Sequence, residues 1–371
     1  MRIGVPKETK IHEYRVGLTP ASVREAVHHG HEVLVERDAG SAIGLFDADY
    51  QAAGAVILDQ ARDIFARADM IVKVKEPLPD EYPLLREGQI LFTYLHLAPD
   101  PALAQAVMKS GVVGIAYETV TDRRGGLPLL APMSEVAGRM SIQAGAHCLE
   151  LEQGGRGTLL GGVPGVPAAR VVVLGGGVAG TNAARMAMGL EAHVTVIDIN
   201  LERLYALDLQ FGPMLNTIYS TVDAIEAHVL GADLVIGAVL VPGAAAPRLV
   251  SRDMVRRMKK GSVLVDIAID QGGCFETSRP TTHAAPTFVE EGVVHYCVTN
   301  MPGAVARTSA FALNNATLPF MLAIANKGYR RALLDDPHLL AGLNVHRGTL
   351  TYRAVADALG EAFEEPMKVL A

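Results

Sequence analysis

Aromatic residues, cysteines and an excess of positive charge are what this 371-residue chain lacks. It contains no tryptophan, and only 5% of its residues are aromatic. Its three cysteines, Cys148, Cys274 and Cys297, form no CxxC pair, which excludes a disulfide-stabilised secreted framework and agrees with a reducing cytoplasm. Acidic residues outnumber basic ones by 40 to 33, for a net charge of −7. This balance argues against a broad positive surface for nucleic acid.

Signals for secretion or for crossing a membrane are also weak. The first ten residues, MRIGVPKETK, do not contain the apolar core of a signal peptide. The longest charge-free run, residues 308–326, is nearly long enough to span a bilayer. Because it contains Asn314, Asn315, Thr317 and Pro319, we interpret it as a buried helix of a soluble protein. We therefore expect a cytoplasmic protein that binds neither membranes nor nucleic acid.

Small aliphatic residues are abundant instead. Half of the residues are hydrophobic, 37 are glycine, and the mean hydropathy is +0.24. Such a composition is typical of buried parallel strands covered by alanine-rich helices. The length predicts two domains, since domains usually contain about 150 residues.

Short aliphatic runs alternate with helical patterns, which predicts βαβ units and parallel sheets. A Gly/Pro-rich stretch at residues 154–167 separates two sets of predicted strands. The first set comprises residues 2–5, 31–36, 70–74, 90–94 and 112–116. The second comprises residues 171–174, 194–197, 217–219, 234–237, 263–267 and 293–298. We expect an α/β fold of two Rossmann-like, doubly wound domains, with a helical C-terminal tail that packs back on the first sheet.

The motif VVVLGGGVAG, residues 171–180, predicts a dinucleotide site. It contains GxGxxG as Gly175, Gly177 and Gly180. The first glycine permits a tight turn, the second lets backbone N–H groups approach a pyrophosphate, and the third allows close packing of helix and strand. GxGxxG alone could be an ordinary glycine-rich turn. Here an aliphatic strand precedes it, an alanine-rich helix follows, and the next strand ends in Asp198, which together favour the nucleotide site.

Asp198 predicts NAD rather than NADP, because its carboxylate can bind both ribose hydroxyls and repels a 2′-phosphate. Arg203 lies one turn into the next predicted helix and allows two interpretations. It could face the adenosine, or it could be a solvated helix residue.

Ligands of a doubly wound sheet bind where its parallel strands end. The residues that follow strands of the second set are therefore candidate contacts, namely Ser220, Val239, Leu240, residues 267–270 and residues 298–301. Asp270 leaves its strand where a nicotinamide ring would lie. Its carboxylate is either a functional group or a turn-capping residue, and its position alone favours neither.

Charged residues interrupt the strands of the first set. In MIVKVKE, residues 70–76, alternation puts Lys73 and Lys75 on one face, and a buried lysine is rare unless it is paired. His96 ends another strand, and Arg15 precedes the first helix. Such cations can hold a carboxylate, arginine bidentately, and histidine can transfer a proton near neutral pH. Each residue alone could be structural, whereas together beside NAD they favour an oxidoreductase acting on a small anionic substrate.

The chain resembles the bacterial alanine dehydrogenase family along essentially its whole length. The motifs that carry the resemblance occur in the same order and are MRIGVPKETKIHEYRVGLTP, KVKEP, LFTYLHLA, APMSEVAGRM, GGVPGVPAA followed by VVVLGGGVAG, VIGAVLVPGAAAP and VDIAIDQGGCFETSRPTTH. The resemblance implies reversible oxidation of L-alanine by NAD to pyruvate and ammonium. It also implies a homohexamer, and an NAD domain (131–304) inserted into a substrate domain (1–130 and 305–371).

The resemblance implies that Arg15 and Lys75 bind the substrate, that His96 is the acid/base, and that Asp270 is a second catalytic group. The motif and the resemblance together predict NAD contacts from Ser134, Gly175, Gly177, Val178, Ala179, Gly180, Asp198, Arg203, Ser220, Val239, Leu240, Ile267, Ala268, Ile269, Asp270, Arg279, Val298, Thr299, Asn300 and Met301. No metal is expected, because the 12 histidines show no metal-type spacing.

Two alternatives remain. The soluble NAD-binding part of proton-translocating transhydrogenase shares the fold and similar opening motifs, but needs neither a carboxylate clamp nor a catalytic histidine. His96 therefore favours the dehydrogenase. A non-catalytic NAD-sensing regulator is the other alternative, and it predicts eroded site residues, whereas every required position is filled.

Overall fold

A computed structural model describes residues 1–239 and 246–370. These residues form two compact units. The outer unit comprises Met1–Met133 and Ala306–Ala371, and the inserted unit comprises Ser134–Val305. The assignment of substrate binding to one unit and of NAD binding to the other stays a prediction at this point.

The first part of the outer unit alternates strands and helices. Its elements are β1 (Arg2–Val5), α1 (Pro20–His28), β2 (Glu32–Glu36), α2 (Asp47–Ala52), β3 (Val56–Leu58), α3 (Ala61–Arg67), β4 (Met70–Val72), β5 (Ile90–Thr93), α4 (Pro101–Ser110) and β6 (Val113–Ala116). Helix α1 begins as the sequence predicts, with the Thr19 side chain accepting a hydrogen bond from the Ser22 N–H and with Pro20 in the first turn.

The inserted unit and the C-terminal part follow. The chain continues through α5 (Ala131–Cys148), β7 (Arg170–Leu174), α6 (Val178–Gly189), β8 (His193–Asp198), α7 (Leu201–Phe211), β9 (Leu215–Tyr219), α8 (Val222–Gly231), β10 (Leu234–Gly237), α9 (Arg252–Arg257), β11 (Val263–Asp266), β12 (Thr287–Glu290) and β13 (Val293–Tyr296). It ends with α10 (Ala306–Lys327), α11 (Tyr329–Asp335), α12 (Pro337–Leu340), β14 (Leu343–His346), β15 (Thr349–Leu350), α13 (Arg353–Leu359) and α14 (Pro366–Leu370).

Both sheets have the strand order of a doubly wound fold, which confirms the predicted fold class. The parallel strands of the outer unit lie in the order β6-β5-β4-β1-β2-β3, and those of the inserted unit in the order β13-β11-β10-β7-β8-β9. Each order reverses once, between β1 and β4 in the outer unit and between β7 and β10 in the inserted unit. Ligand crevices of such sheets form at these switch points.

The tail was expected to be helical, and this expectation is wrong in part. Strand β14 pairs antiparallel with β6, and β15 pairs antiparallel with β14. The tail therefore does pack back on the first sheet, but by extending it. Strand β12 adds a further antiparallel strand beside β13. The predicted strand at residues 70–74 ends earlier, at Val72.

Helix α10 contains the charge-free run noted above. The segment Met301–Lys327 is long and apolar enough to cross a membrane, and 44% of its most apolar window is buried. Core helices of soluble proteins pass the same test of length and composition. Two of its polar residues are buried within the outer unit. Asn314 Oδ1 accepts the Thr19 N–H at 2.8 Å, and Thr317 Oγ1 donates to the Leu313 carbonyl at 3.1 Å. The Asn314 contact joins α10 to the start of α1.

Candidate active site

Arg15, Lys75 and His96 are brought to one edge of the outer unit's sheet. Arg15 follows β1, Lys75 follows β4, and His96 follows β5. Because β1, β4 and β5 are parallel neighbours, their carboxyl ends lie side by side. Arg15 and Lys75 thus flank the switch point between β1 and β4, where a ligand crevice is expected.

The Arg15 guanidinium is only 2% exposed and is held by Glu13. Its Nε donates to Glu13 Oε1 at 2.6 Å, and its Nη2 donates to Oε2 at 2.5 Å. Burial opposes ionisation of Glu13, but Arg15 outweighs it and holds the pKa of Glu13 below its usual range. One bidentate edge of Arg15 is therefore already used. Nη1 lies 2.9 Å from Met133 Sδ.

Lys75 is half-buried beside this pair. Burial lowers the pKa of Lys75, and the positive charges of Arg15 and Lys10 lower it further. A further anion placed here would favour the charged form of Lys75, as Glu76 and Glu13 already do in part. The arrangement therefore suits a small anion such as a carboxylate.

The main chain of His96 lies in the left-handed region, with φ of 48°. Glu118, which follows β6, stabilises it by accepting the His96 N–H at 2.7 Å and the Leu95 N–H at 3.1 Å. His96 Nδ1 lies 3.2 Å from Glu76 Oε2, and its ring stacks on Tyr94 with centroids 5.8 Å apart. Strained backbone of this kind is typical of functional positions.

The glycine-rich turn of the inserted unit has the geometry that a pyrophosphate needs. Gly175 has φ of 97°, and helix α6 begins directly after Gly177, where a Cβ would meet open space. A Cβ on Gly180 would lie only 1.8 Å from the Gly175 carbonyl oxygen. The turn thus leaves room for a ligand at Gly177 while helix and turn touch at Gly180, as the motif predicts.

Asp198 and Arg203 both contact this turn. Asp198 Oδ2 accepts the Gly176 N–H at 2.6 Å, and Oδ1 accepts the Asn200 N–H at 2.8 Å. Arg203 Nε donates to the Gly176 carbonyl at 2.5 Å, and its Nη2 donates to Thr181 Oγ1. Arg203 is therefore held against the glycine-rich turn and is not a freely solvated helix residue, while its contact with the adenosine stays a prediction.

The other predicted nucleotide contacts follow the ends of neighbouring strands. Ser220 follows β9, Val239 follows β10, residues 267–270 follow β11, and residues 298–301 follow β13. Leu240 lies outside the described residues. These positions share the carboxyl edge of one sheet with the glycine-rich turn.

Asp270 is exposed in a 3-10 turn, Ile267–Gln271, that Asp266 anchors. Asp266 Oδ2 accepts the Cys274 N–H at 2.9 Å and the Ser278 hydroxyl at 2.5 Å. Burial raises the pKa of Asp266 to about 6, against the opposing effect of these hydrogen bonds. The buried Asp266 carboxylate thus ties the start of this turn to Cys274 and Ser278.

Two family models match the chain along nearly its whole length. The model described as alanine dehydrogenase/PNT, N-terminal domain, matches residues 4–137, and the model described as alanine dehydrogenase/PNT, C-terminal domain, matches residues 141–353. The chain belongs to the alanine dehydrogenase/PNT family.

Relatives within this family match at full length. The chain is 60% identical over 370 residues to an alanine dehydrogenase of Halomonas elongata, and 55% identical over 371 residues to one of Mycobacterium tuberculosis, with 100% of each chain covered. A solved L-alanine dehydrogenase is 54% identical, with a TM-score of 0.94 over 97% of this chain and 99% of its own. A transhydrogenase from Sinorhizobium meliloti is 25% identical, with a TM-score of 0.79 over 95% and 100% of the two chains.

Two other predicted NAD contacts, Ser134 and Arg279, stay predictions. Ser134 is half-buried near the start of α5. The Arg279 guanidinium stacks on the Phe288 ring, 4.1 Å from its centroid. Among residues 1–239 and 246–370, no group of three or more His, Cys, Asp or Glu side chains could hold a metal ion.

Sequence reasoning missed the carboxylates that hold the family's candidate residues in place, namely Glu13, Glu76 and Glu118. A signal for two of them was present. Glu76 follows β4 and Glu118 follows β6, so the strand-end argument applied to cations also selects these acids. Glu13 offered only its proximity to Arg15 in sequence.

Proposed function

We propose that this chain catalyses the reversible reaction of L-alanine, NAD⁺ and water to pyruvate, ammonium, NADH and a proton. The observation that carries the proposal is that Arg15, Lys75 and His96 follow three neighbouring parallel strands of one sheet, with Arg15 and Lys75 flanking its switch point. The other sheet offers a pyrophosphate turn at its own switch point. The full-length identity of 55–60% to alanine dehydrogenases supports this choice of substrate.

Arg15 and Lys75 would anchor the substrate carboxylate. Glu13 holds the guanidinium of Arg15 through Nε and Nη2, so this cation would meet the carboxylate in a fixed orientation. Lys75 adds a second cation. Two fixed contacts would orient the Cα–H bond of alanine, and such orientation supplies much of the rate enhancement in bimolecular reactions.

His96 would transfer protons through Nε2. Donation of Nδ1–H to Glu76 leaves Nε2 as the acceptor. NAD supplies the hydride acceptor when it is bound. Loss of hydride from Cα gives an iminium ion, addition of water gives a carbinolamine, and loss of ammonia gives pyruvate. His96 would exchange protons with the amine and with the attacking water, while Asp270 would orient that water.

Asp198 would bind the adenosine ribose. Each of its carboxylate oxygens accepts one backbone N–H and keeps a further lone pair for a ribose hydroxyl. A 2′-phosphate would meet this negative charge, so NAD is favoured over NADP. The remaining predicted contacts along the carboxyl edge would line the nicotinamide and pyrophosphate. The cofactor roles of Leu240, Ser134 and Arg279 rest on the resemblance alone.

The inserted unit would be the NAD domain and the outer unit the substrate domain. We further propose a cytoplasmic homohexamer. Mass measurement of the native protein in solution tests the oligomeric state, and a monomeric mass would contradict it.

The activity test is formation of NADH by the purified protein with a panel of small amino acids and with NAD⁺ or NADP⁺. We expect turnover with L-alanine and NAD⁺ and no need for a second nucleotide. A control supplies NADH and an oxidised nucleotide analogue without an amino acid. Hydride exchange in this control, without alanine turnover, would support the transhydrogenase alternative instead.

His96→Ala and Asp270→Ala complete the activity test. Each should abolish turnover while NADH binding stays near that of the wild type. A variant that keeps most of its kcat would show that its residue has been given the wrong role.

A further inference from the structure

The segment that carries Lys75 leaves the sheet on one side. Strand β1 pairs with β4 only at Ile3 with Met70 and at Gly4 with Ile71, and β4 ends at Val72. Beyond that residue no described strand pairs with the segment on the β1 side. Its main-chain N–H groups on this side therefore need other acceptors, because buried backbone donors are rarely left unpaired.

Glu8 supplies the acceptor. Its Oε1 accepts the Val74 N–H at 2.6 Å and the Lys75 N–H at 3.3 Å. On the other side, the Val74 carbonyl accepts the Tyr94 N–H at 3.3 Å, and the Lys75 carbonyl accepts the Thr93 hydroxyl at 3.0 Å. The backbone of Val74 and Lys75 is thus fixed from both sides, by β5 and by one carboxylate.

Lys73 holds Glu8 in turn. Lys73 is 1% exposed, and its Nζ lies 3.3 Å from Glu8 Oε2 and 2.8 Å from Glu81 Oε1. This explains how a lysine is tolerated in the core, since a buried charge needs a partner. Glu81 is bound in the same way as Glu8. One of its oxygens contacts Lys73, and the other accepts the Leu78 N–H at 2.8 Å. The two acids share one lysine but bind different stretches of main chain.

We propose that Glu8 is a positioning residue for substrate binding. Its carboxylate, held by Lys73, takes the place of the missing strand and fixes the main chain so that the Lys75 ammonium is presented to the substrate carboxylate. The inference rests on the substrate role of Lys75 proposed above. It gives a role to the buried side chains of Glu8 and Lys73, which take no part in the proposed reaction steps.

Glu8→Gln tests the proposal, with Glu81→Gln as the matched control. A carboxylate accepts at both oxygens, whereas an amide has only one acceptor oxygen, so neither variant can satisfy Lys73 and the backbone together. Each variant leaves Lys73 and one stretch of main chain competing for a single acceptor oxygen, and both should melt at a lower temperature. Only in Glu8→Gln is that main chain the one at Val74 and Lys75. We expect its KM for pyruvate and for L-alanine to rise about tenfold, as one buried unsatisfied donor costs enough for a factor of that size.

The controls separate positioning from general damage. For Glu8→Gln the KM for NADH should stay within about twofold, and Glu81→Gln should keep its KM for pyruvate within the same factor, well below the tenfold effect. If Glu8→Gln does not yield folded protein, Glu8→Asp, which keeps the charge but withdraws it from the backbone, should show the raised KM for pyruvate. An unchanged KM in the folded Glu8 variant, or an equal rise in Glu81→Gln, overturns the proposal.

Lys75→Met in the same assays tests the substrate role of Lys75 separately from the positioning role of Glu8. A raised KM for pyruvate in Lys75→Met, with no rise in Glu8→Gln, overturns the positioning role alone. If Lys75→Met itself leaves this KM unchanged, the proposed substrate role of Lys75 fails, and the positioning role of Glu8 fails with it.

Discussion

Glu76 lies between His96 and Lys10. Its Oε2 is 3.2 Å from His96 Nδ1, and its Oε1 accepts a hydrogen bond from Lys10. Burial favours protonation of Glu76, but His96, Lys10 and Lys75 outweigh it and hold the pKa of Glu76 far below its usual range. Glu76 is therefore an ionised acceptor that fixes which ring nitrogen of His96 carries the proton and how the ring is oriented.

Glu76→Gln should lower kcat about tenfold and leave the KM for L-alanine nearly unchanged. The reason is that an amide makes a weaker hydrogen bond to Nδ1–H than a carboxylate does, while the substrate anchors stay in place. Steady-state kinetics with L-alanine and NAD⁺ measure both constants. Lys10→Met is the control, since it removes the other partner of Glu76 and keeps the contact to His96. An equal loss of kcat in Lys10→Met would contradict the orienting role.

At the scale of single residues, the sequence indicates which basic residues matter but not which acids pair with them. Lys73, Lys75 and His96 stand out because they interrupt aliphatic runs that should be buried. Glu8 and Glu81 lie in polar segments where an acid is unremarkable. Only the fold brings them to Lys73, because the pairing depends on where two loops meet, and local pattern does not encode that meeting.

At the scale of the elements, helix α6 packs closely against the glycine-rich turn at Gly180. Gly180→Ala should reduce both NADH affinity and stability, because its Cβ would lie 1.8 Å from the Gly175 carbonyl oxygen, and that main-chain atom cannot move without deforming the turn. Overpacking of this kind costs about 1–3 kcal/mol. Fluorescence titration of NADH and thermal melting measure the two effects.

Gly189→Ala is the control for this prediction. Gly189 lies in the same helix, and a Cβ there would meet nothing within 4 Å. Alanine favours helix more than glycine does, so this variant should keep its NADH affinity and lose no stability. Equal losses in both variants would indicate that alanine damages the helix wherever it is placed.

The turn after β11 gives a prediction about pH. Asp266 has its pKa raised from 3.8 to about 6, so the folded state holds the proton more tightly than the unfolded state does. The stabilisation is complete below about pH 4 and is lost as the pH rises to about 6. Relative to Asp266→Asn, the wild type should therefore lose on the order of 3 kcal/mol of unfolding free energy across this range and stay constant above it.

Urea denaturation at several pH values measures this difference. Ser278→Ala is a useful companion, because it removes a hydrogen bond that favours the charged form of Asp266. The decline should then extend to higher pH. A wild-type curve parallel to that of Asp266→Asn would show that Asp266 does not titrate in this range.

Most of the elements follow from local pattern, and the exceptions have physical causes. Strands β1 and β10 have the predicted bounds, since aliphatic runs between turn residues define them. The strand through Lys73 was predicted too long because alternation continues past the point where β1 turns away and Glu8 replaces it. Strand β14 was missed because its pairing with β6 is a contact between the two ends of the chain, and a four-residue run inside a helical tail carries little signal.

At the scale of the whole molecule, the sheet of the outer unit is built from two stretches of the chain that are far apart in sequence. Strands β1 to β6 precede the inserted unit, and β14 follows it. Among the described strands, β14 pairs with the edge of β6, and β15 pairs with β14.

This arrangement sets an order for synthesis. A ribosome releases the entire inserted unit before the strand that closes the outer sheet. Domains fold as units while the chain emerges, so the inserted unit can be complete while β6 still presents an open edge, which is a template for pairing with another chain. A nascent molecule that stalls near its C-terminus would thus already contain a finished nucleotide turn and still be prone to aggregation.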